Sequence, residues 1–328
     1  MAVQQVSGFQ AQVATVKAQG PWHRGRRGSL AQDRNLPRPE ESRASLKHRQ
    51  LLEWEGISPW RQHGSDHLWT GYREENASVR ACFGSWLYIH NDTVSIFSHV
   101  VGAIVFLALP LWAFTTEIPP RYQIATTSDV VVCSIYFVGV AICFVFSTLF
   151  HTFMCHSESW YLLGIKFDYQ GILLLMWGST IPLVYYSFPG ETNIQVLYWI
   201  ITTVLAGLCS LATFHPSIGG PHLGHVRAML FGAFGFGSFL APIAHGVLKY
   251  GSAEQHERIG LSWIGLTAIC NLTGVVFYAF KFPERWYPRT FDIWGASHQI
   301  MHVMVVFAAL AYVQAVLQAF DFYHQILF

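Results

Sequence analysis

Seven apolar blocks of about 20 residues, separated by short polar connections, decide what this chain can fold into. They lie at about 96–115, 130–151, 167–187, 194–214, 227–248, 261–280 and 296–318. Twenty helical residues at 1.5 Å each match a hydrocarbon core about 30 Å thick. A large soluble core would need amphipathic helices with a polar face. The run Ile172-Leu173-Leu174-Leu175-Met176-Trp177, followed by Ile181-Pro182-Leu183-Val184, offers no such face. A segment in lipid must also satisfy its own backbone, which makes each block a helix. The reading is an all-α integral membrane protein, a seven-helix bundle. Composition agrees: charged residues are 12% of the 328, against about 25% in an ordinary soluble domain. No nucleic-acid partner is expected.

Charge sets the expected orientation. Of the 20 Lys and Arg, 12 precede the first block, from Lys17 to Arg80. With that side in the cytosol, the cytosolic connections add Lys166, Arg227, Lys281, Arg285 and Arg289, while Arg121, Lys249 and Arg258 face outward. The positive-inside rule then predicts a cytosolic N-terminus and, after seven spans, an external C-terminus. Residues 1–30 lack an apolar core of 7–15 residues, so the first span is expected to act as the insertion signal. The chain should be multi-pass in the plasma membrane or an endomembrane.

Three stretches are expected: 1–50, a Gln-, Arg- and Ser-rich disordered cytosolic tail; 51–93, a membrane-proximal cytosolic segment; and 94–328, the bundle. Trp54, Trp60, Trp69 and Tyr72 suit a segment at the membrane surface, and Asn91 or Asp92 is a candidate cap for the first span. The six cysteines form no CxxC pair. Cys133, Cys143, Cys209 and Cys270 fall within spans and read as small buried apolar residues. Gly139, Gly171, Gly178, Gly232, Gly235, Gly237 and Gly274 would let helices approach closely. The 232–237 trio alternatively marks an unwound stretch.

Ionisable groups inside a bilayer cost about 2.5–3.5 kcal/mol each on insertion scales, so their placement carries information. His298 and His302 are four apart and share one helical face. His151 ends the second span and Asp168 begins the third. Counting spans puts all four at the cytosolic end. Separately, each has a bland reading: HxxxH is common on helices, His151 can meet headgroups, and Asp168 can favour its helix N-terminus. Together they suit Zn²⁺ bound by His151, His298 and His302, with a fourth position left for water. Such a centre acidifies its water, and Asp168 is better placed as general base or water acceptor than as ligand. Ser147, one turn before His151, either donates to a polarised carbonyl or bonds its own helix. His156 ranks lower, and His245 reads as a packed core histidine.

Several ordered motifs resemble the progestin and adipoQ receptor family, also called haemolysin III-related proteins, most visibly adiponectin receptors and their fungal and plant relatives. They are Ile89-His90-Asn91-Asp92-Thr93, Phe146-Ser147 to His151 with Cys155-His156-Ser157-Glu158, Lys166-Phe167-Asp168-Tyr169-Gln170-Gly171-Ile172, Tyr185-Tyr186-Ser187-Phe188, and Pro283-Glu284-Arg285 through Phe291-Asp292-Ile293-Trp294 to Ser297-His298-Gln299-Ile300-Met301-His302. The resemblance implies zinc on His151, His298 and His302, with Asp168 and Ser147 beside the zinc-bound water. It also implies ceramidase-like hydrolysis of a lipid amide, receptor-type signalling, and links to lipid and metal homeostasis. Expected partners are the bilayer and a ceramide-like lipid, with an extracellular protein ligand left open; an adiponectin-like ligand is not implied. A receptor with structural zinc is the alternative. A channel or transporter ranks third, because polar groups cluster at one end instead of running through the spans.

The charge pattern yields a direct test. A tag ahead of residue 51 should resist an impermeant label in intact cells and react once they are permeabilised; labelling of intact cells would reverse the orientation.

Overall fold

The computed structural model describes residues 51–62, 67–115, 124–215 and 224–327. The expected tail, 1–50, lies outside the described residues, as does Arg121. Ten α-helices occur among the described residues: α1 (Val79–Gly84), α2 (Thr93–Thr115), α3 (Thr127–Phe153), α4 (Glu158–Ser187), α5 (Thr192–Phe214), α6 (Gly224–Gly235), α7 (Ala241–Tyr250), α8 (Ser252–Ile259), α9 (Leu261–Phe280) and α10 (Ser297–Leu327). Between α6 and α7 the helix widens into one π turn, Phe236–Leu240. This is an integral, multi-pass membrane protein.

Six helical stretches are long and apolar enough to cross a bilayer: Thr93–Trp112, Thr127–Phe153, Thr192–Phe214, Met229–Tyr250, Leu261–Phe280 and Ser297–Gln325. The remaining expected span falls in α4, whose 30 residues are long enough. It is less apolar because its first half carries Glu158, Lys166, Asp168 and Gln170, and Gly178, Ser179 and Thr180 form a small polar step further along. Ser179 and Thr180 are buried and bond back to Leu175 O and Met176 O, a pattern suited to a helix enclosed by other helices.

The closest packing is α3 against α4, and glycine makes it possible. A Cβ on Gly139 would stand 2.7 Å from Leu174 O, one on Gly171 2.8 Å from Cys143 Cα, and one on Gly178 2.9 Å from Ile135 O. Gly274 similarly brings α9 onto α10 at Met301. The 232–237 trio behaves differently. Gly232 has open space, whereas a Cβ on Gly237 would stand 2.7 Å from Leu205 Cδ1, so close packing holds at Gly237; the stretch stays helical and widens into the π turn without unwinding.

The core runs along α2, α3, α4 and α10, with Phe106, Tyr136, Phe137, Phe144, Tyr312 and Phe320 at its centre. Buried hydroxyls find carbonyls across it: Tyr136 donates to Ala309 O (2.7 Å) and Tyr312 to Ser179 O (2.6 Å). At the end where α3 begins, Asp129 is fully buried and contacts Tyr186 Oη (2.9 Å) and His324 Nε2 (3.0 Å). Asp129 also completes a capping box with Thr126.

Over the opposite end sits the 51–92 segment. Its Leu52 and Tyr72 exchange backbone hydrogen bonds, and Asp292 accepts from Trp69 N and Thr70 Oγ1. It leaves Phe83, Leu87 and Ile89 exposed, apolar groups that suit a headgroup boundary.

Overpacking the α3–α4 contact should be costly. Gly171→Val should destabilise the protein by about 1–3 kcal/mol, read as lower thermal stability in detergent. Gly207→Val, where nothing stands within 4 Å, should change it far less.

Candidate metal centre

A helix C-terminus presents carbonyls with no partner inside the helix. At the end of α3 these include His151 O and Thr152 O, and both are taken by the buried Arg73 guanidinium. A cation also complements the negative end of the helix dipole. Arg73 further donates to Ser85 Oγ (2.9 Å) and Asp92 Oδ2 (3.1 Å). The other Asp92 oxygen lies 3.3 Å from His151 Nδ1.

That contact places the proton on His151 Nδ1 and leaves Nε2 with its lone pair facing inward. Burial works against the charge on Asp92, yet the His151 hydrogen bond and the Arg73 guanidinium hold its carboxyl well below the usual carboxylate range. Burial and the Arg73 charge lower His90 to about 4. It is therefore neutral near pH 7, and its Nδ1 accepts from Asp92 N (3.1 Å). Asp92, one of the two candidate caps, stands just before α2 and its backbone O accepts from Ile96 N, but its carboxylate is committed to Arg73 and His151.

The other two imidazoles come from the first turns of α10. Glu284 fixes that helix start by accepting from Ser297 N (2.8 Å) and from the Ser297 hydroxyl. His298 Nε2 stands 3.2 Å from His151 Nε2 and 3.1 Å from His302 Nε2. His151 and His302 are buried, His298 half-buried. These three form the one group of at least three potential ligands found among the described residues, with ligand atoms within 4.8 Å of one another.

The arrangement fits a metal. Three nitrogens this close cannot all be satisfied by protons, since each neutral ring has one N–H. Tetrahedral Zn–N bonds of 2.0–2.1 Å would separate nitrogens by about 3.3–3.4 Å, within a few tenths of an ångström of the two spacings from His298 Nε2. The cluster can therefore hold a metal ion.

Asp168 and Ser147 lie beside this group. Ser147 is buried on α3, one turn before His151. Asp168, on α4, is within hydrogen-bonding reach of Ser147 and interacts electrostatically with His151. A cavity of about 130 Å³ reaches His151 and His298 from the end of the bundle, lined also by Arg61, Asp92, Tyr278 and Lys281. His156 instead packs at a tilt against Trp160. His245 contacts Tyr198 Oη (3.1 Å) and the Phe188 ring, as a packed core histidine would.

The Haemolysin-III related family pattern matches residues 87–313. The chain belongs to this family. It is 34% identical over 262 residues to a protein named adiponectin receptor protein from Drosophila melanogaster, covering 80% of this chain and 58% of that one. It is 32% identical over 285 residues to an ADIPOR-like receptor from Saccharomyces cerevisiae, covering 87% and 89%. A heptahelical transmembrane protein from Arabidopsis thaliana is 29% identical over 279 residues, covering 75% and 80%. The chain is thus a receptor-like member of a membrane family.

Sequence reasoning missed Arg73, His99 and the partners of the Asp92 carboxylate. His99, on α2, is buried with its ring 4.1 Å from that of His302 and 4.7 Å from Phe144. Counting depth along the first span would have placed it level with the other histidines. No comparable signal marks Arg73, which arrives from an irregular segment 78 positions before His151.

Partners that orient metal ligands typically change affinity by about 10–100-fold. Asp92→Ala should weaken Zn²⁺ binding by that order in a chelator competition, and Asp92→Glu should recover part of it.

Proposed function

We propose that this receptor-like protein holds zinc on His151, His298 and His302 and hydrolyses a lipid amide of the ceramide class. The observation that carries the reading is the convergence of three imidazoles, with the His151 and His302 Nε2 atoms 3.2 and 3.1 Å from His298 Nε2, beside a cavity that reaches His151 and His298. Zinc bound there would polarise an amide carbonyl and acidify a water. Asp168 would accept the proton released by the attacking water and return it to the departing amine. Ser147 would keep that carboxylate in place, and Asp92 would hold His151 in the tautomer that presents Nε2. The centre would face the cytosol, the side of Arg61, Arg73, Lys281, Arg285 and Arg289. A ceramide-like lipid is the proposed substrate, with an external protein ligand as a further proposed partner.

One observation favours a second reading, a receptor whose zinc ties α3 to α10. The cavity of about 130 Å³ is smaller than the roughly 300–1,000 Å³ of sites that enclose drug-sized ligands. It accommodates a headgroup but not a whole lipid, so catalysis would require lateral access for the acyl chains.

Two measurements decide between these readings. Purified protein should contain one zinc per chain, lost in the His298→Ala, His302→Ala double variant. Asp168→Asn should keep the zinc while ceramide hydrolysis falls by at least about tenfold. Zinc-loaded protein that hydrolyses no ceramide or related amide would leave the structural-zinc receptor.

A further inference from the structure

Cys82 and Cys155 play no part in the proposed chemistry, yet their sulfurs are 3.9 Å apart. Cys82 lies on α1 and Cys155 just beyond α3; they are 1% and 3% exposed. The backbone around them is held. Ser78 caps α1 by accepting from Ala81 N, and Asn76 N donates to Cys155 O (3.0 Å). Phe83 packs edge-on against Phe153 at 5.3 Å. All six cysteines are free.

Two chemistries suit such a pair: sharing a thiophilic metal, or joining as a disulfide. Spacing alone does not choose. Two thiolates on a tetrahedral zinc at 2.3 Å would stand about 3.8 Å apart, whereas a disulfide needs about 2.05 Å. Charge and donor count do choose. The Arg73 and Arg61 guanidiniums act electrostatically on Cys155, and no third metal-binding side chain joins the pair among the described residues. A cation would meet two positive groups and only two ligands. A thiolate, in contrast, is favoured by those same groups.

The surrounding charges also separate the two roles. Either thiol can donate in the contact between the sulfurs, and Cys82 can also donate to Asn76 O (3.7 Å). The Arg73 and Arg61 guanidiniums act on Cys155 and favour its thiolate. Cys155 is the nucleophile, and Cys82 keeps its proton.

We propose that Cys82 and Cys155 form an oxidation site, in which a peroxide converts the pair to a disulfide that clamps α1 onto the end of α3. The Cys155 thiolate attacks one peroxide oxygen and the O–O bond breaks, giving a sulfenic acid and hydroxide. The Cys82 sulfur then attacks the Cys155 sulfur. The S–O bond breaks, the Cys82 proton leaves with the hydroxyl as water, and an S–S bond forms. Two thiols have lost two electrons to one peroxide. Both sulfurs are buried, so reaction proceeds through transient opening of α1. The disulfide would fix α1 and the adjoining Ser85, on which Arg73 rests while holding His151 O and Thr152 O. The pair's chemistry does not depend on the metal.

The test uses the full chain in detergent, treated with hydrogen peroxide, alkylated after denaturation and digested for mass spectrometry. A Cys82–Cys155 cross-linked peptide should appear, with Cys133, Cys143, Cys209 and Cys270 still alkylated, and dithiothreitol should reverse it. Cys82→Ser should instead leave Cys155 as a sulfenic acid trappable by dimedone. The linked form should unfold at a higher temperature than the reduced form, and reduction should remove the difference. Cross-links to another cysteine, or oxidation elsewhere while Cys82 and Cys155 stay free, would overturn the site. A cross-link without any change in unfolding temperature would overturn the clamp.

Discussion

Backbone amides and carbonyls cannot go unpaired in hydrocarbon, and most of this structure follows from that constraint. It makes each spanning segment a helix and pushes irregular backbone to the ends. Polar chemistry gathers there, because helix ends have carbonyls to fill and side chains can reach them from the connecting segments. The candidate metal centre is one such end. His151 sits where α3 runs out of internal hydrogen bonds, and Arg73 fills the carbonyls it leaves. Ligand and clamp occupy the same turn for the same reason.

The 51–92 segment therefore does more than precede the bundle. Asp292 ties it to the α9–α10 connection through Trp69 and Thr70, and Gln299 donates to Asn91 O (2.8 Å). Gly71 adopts φ +86°, a conformation that suits glycine, and its carbonyl accepts from Asn91 N. The motifs around Asp92, Glu284, Asp292 and Gln299 are stitches holding three separated pieces of chain over one end of the bundle. Their chemistry is positional: none belongs to the three-histidine cluster, but each helps fix where those imidazoles stand.

The fold and the histidine cluster were legible in the sequence for one reason: both follow from counting. Apolar length located the spans, and span number placed His151, Asp168, His298 and His302 at one end. α4 was read as a span from its apolar run Ile172–Trp177, while the close packing of Gly178 against α3 showed only in the structure. The π turn at Phe236–Leu240 was visible only as a glycine trio with two readings. Asp92 looked like a cap because Asp before a helix usually is one. The partners of its carboxylate, Arg73 and His151, are 19 and 59 positions away, beyond the reach of local pattern. The thiol pair, 73 positions apart, was illegible for the same reason.

α10 runs without interruption for 31 residues, a rod of roughly 46 Å at 1.5 Å per residue. It carries two imidazoles near one end, and α3 carries the third. The two rods are pinned together near mid-length by Tyr136 on Ala309 O, and at the far end by His324 on Asp129. They work as the two arms of a pair of tongs. The angle at the gripping end is a property of the whole length, so a disturbance at the distant Asp129 pin must be absorbed by bending or must reach the three nitrogens.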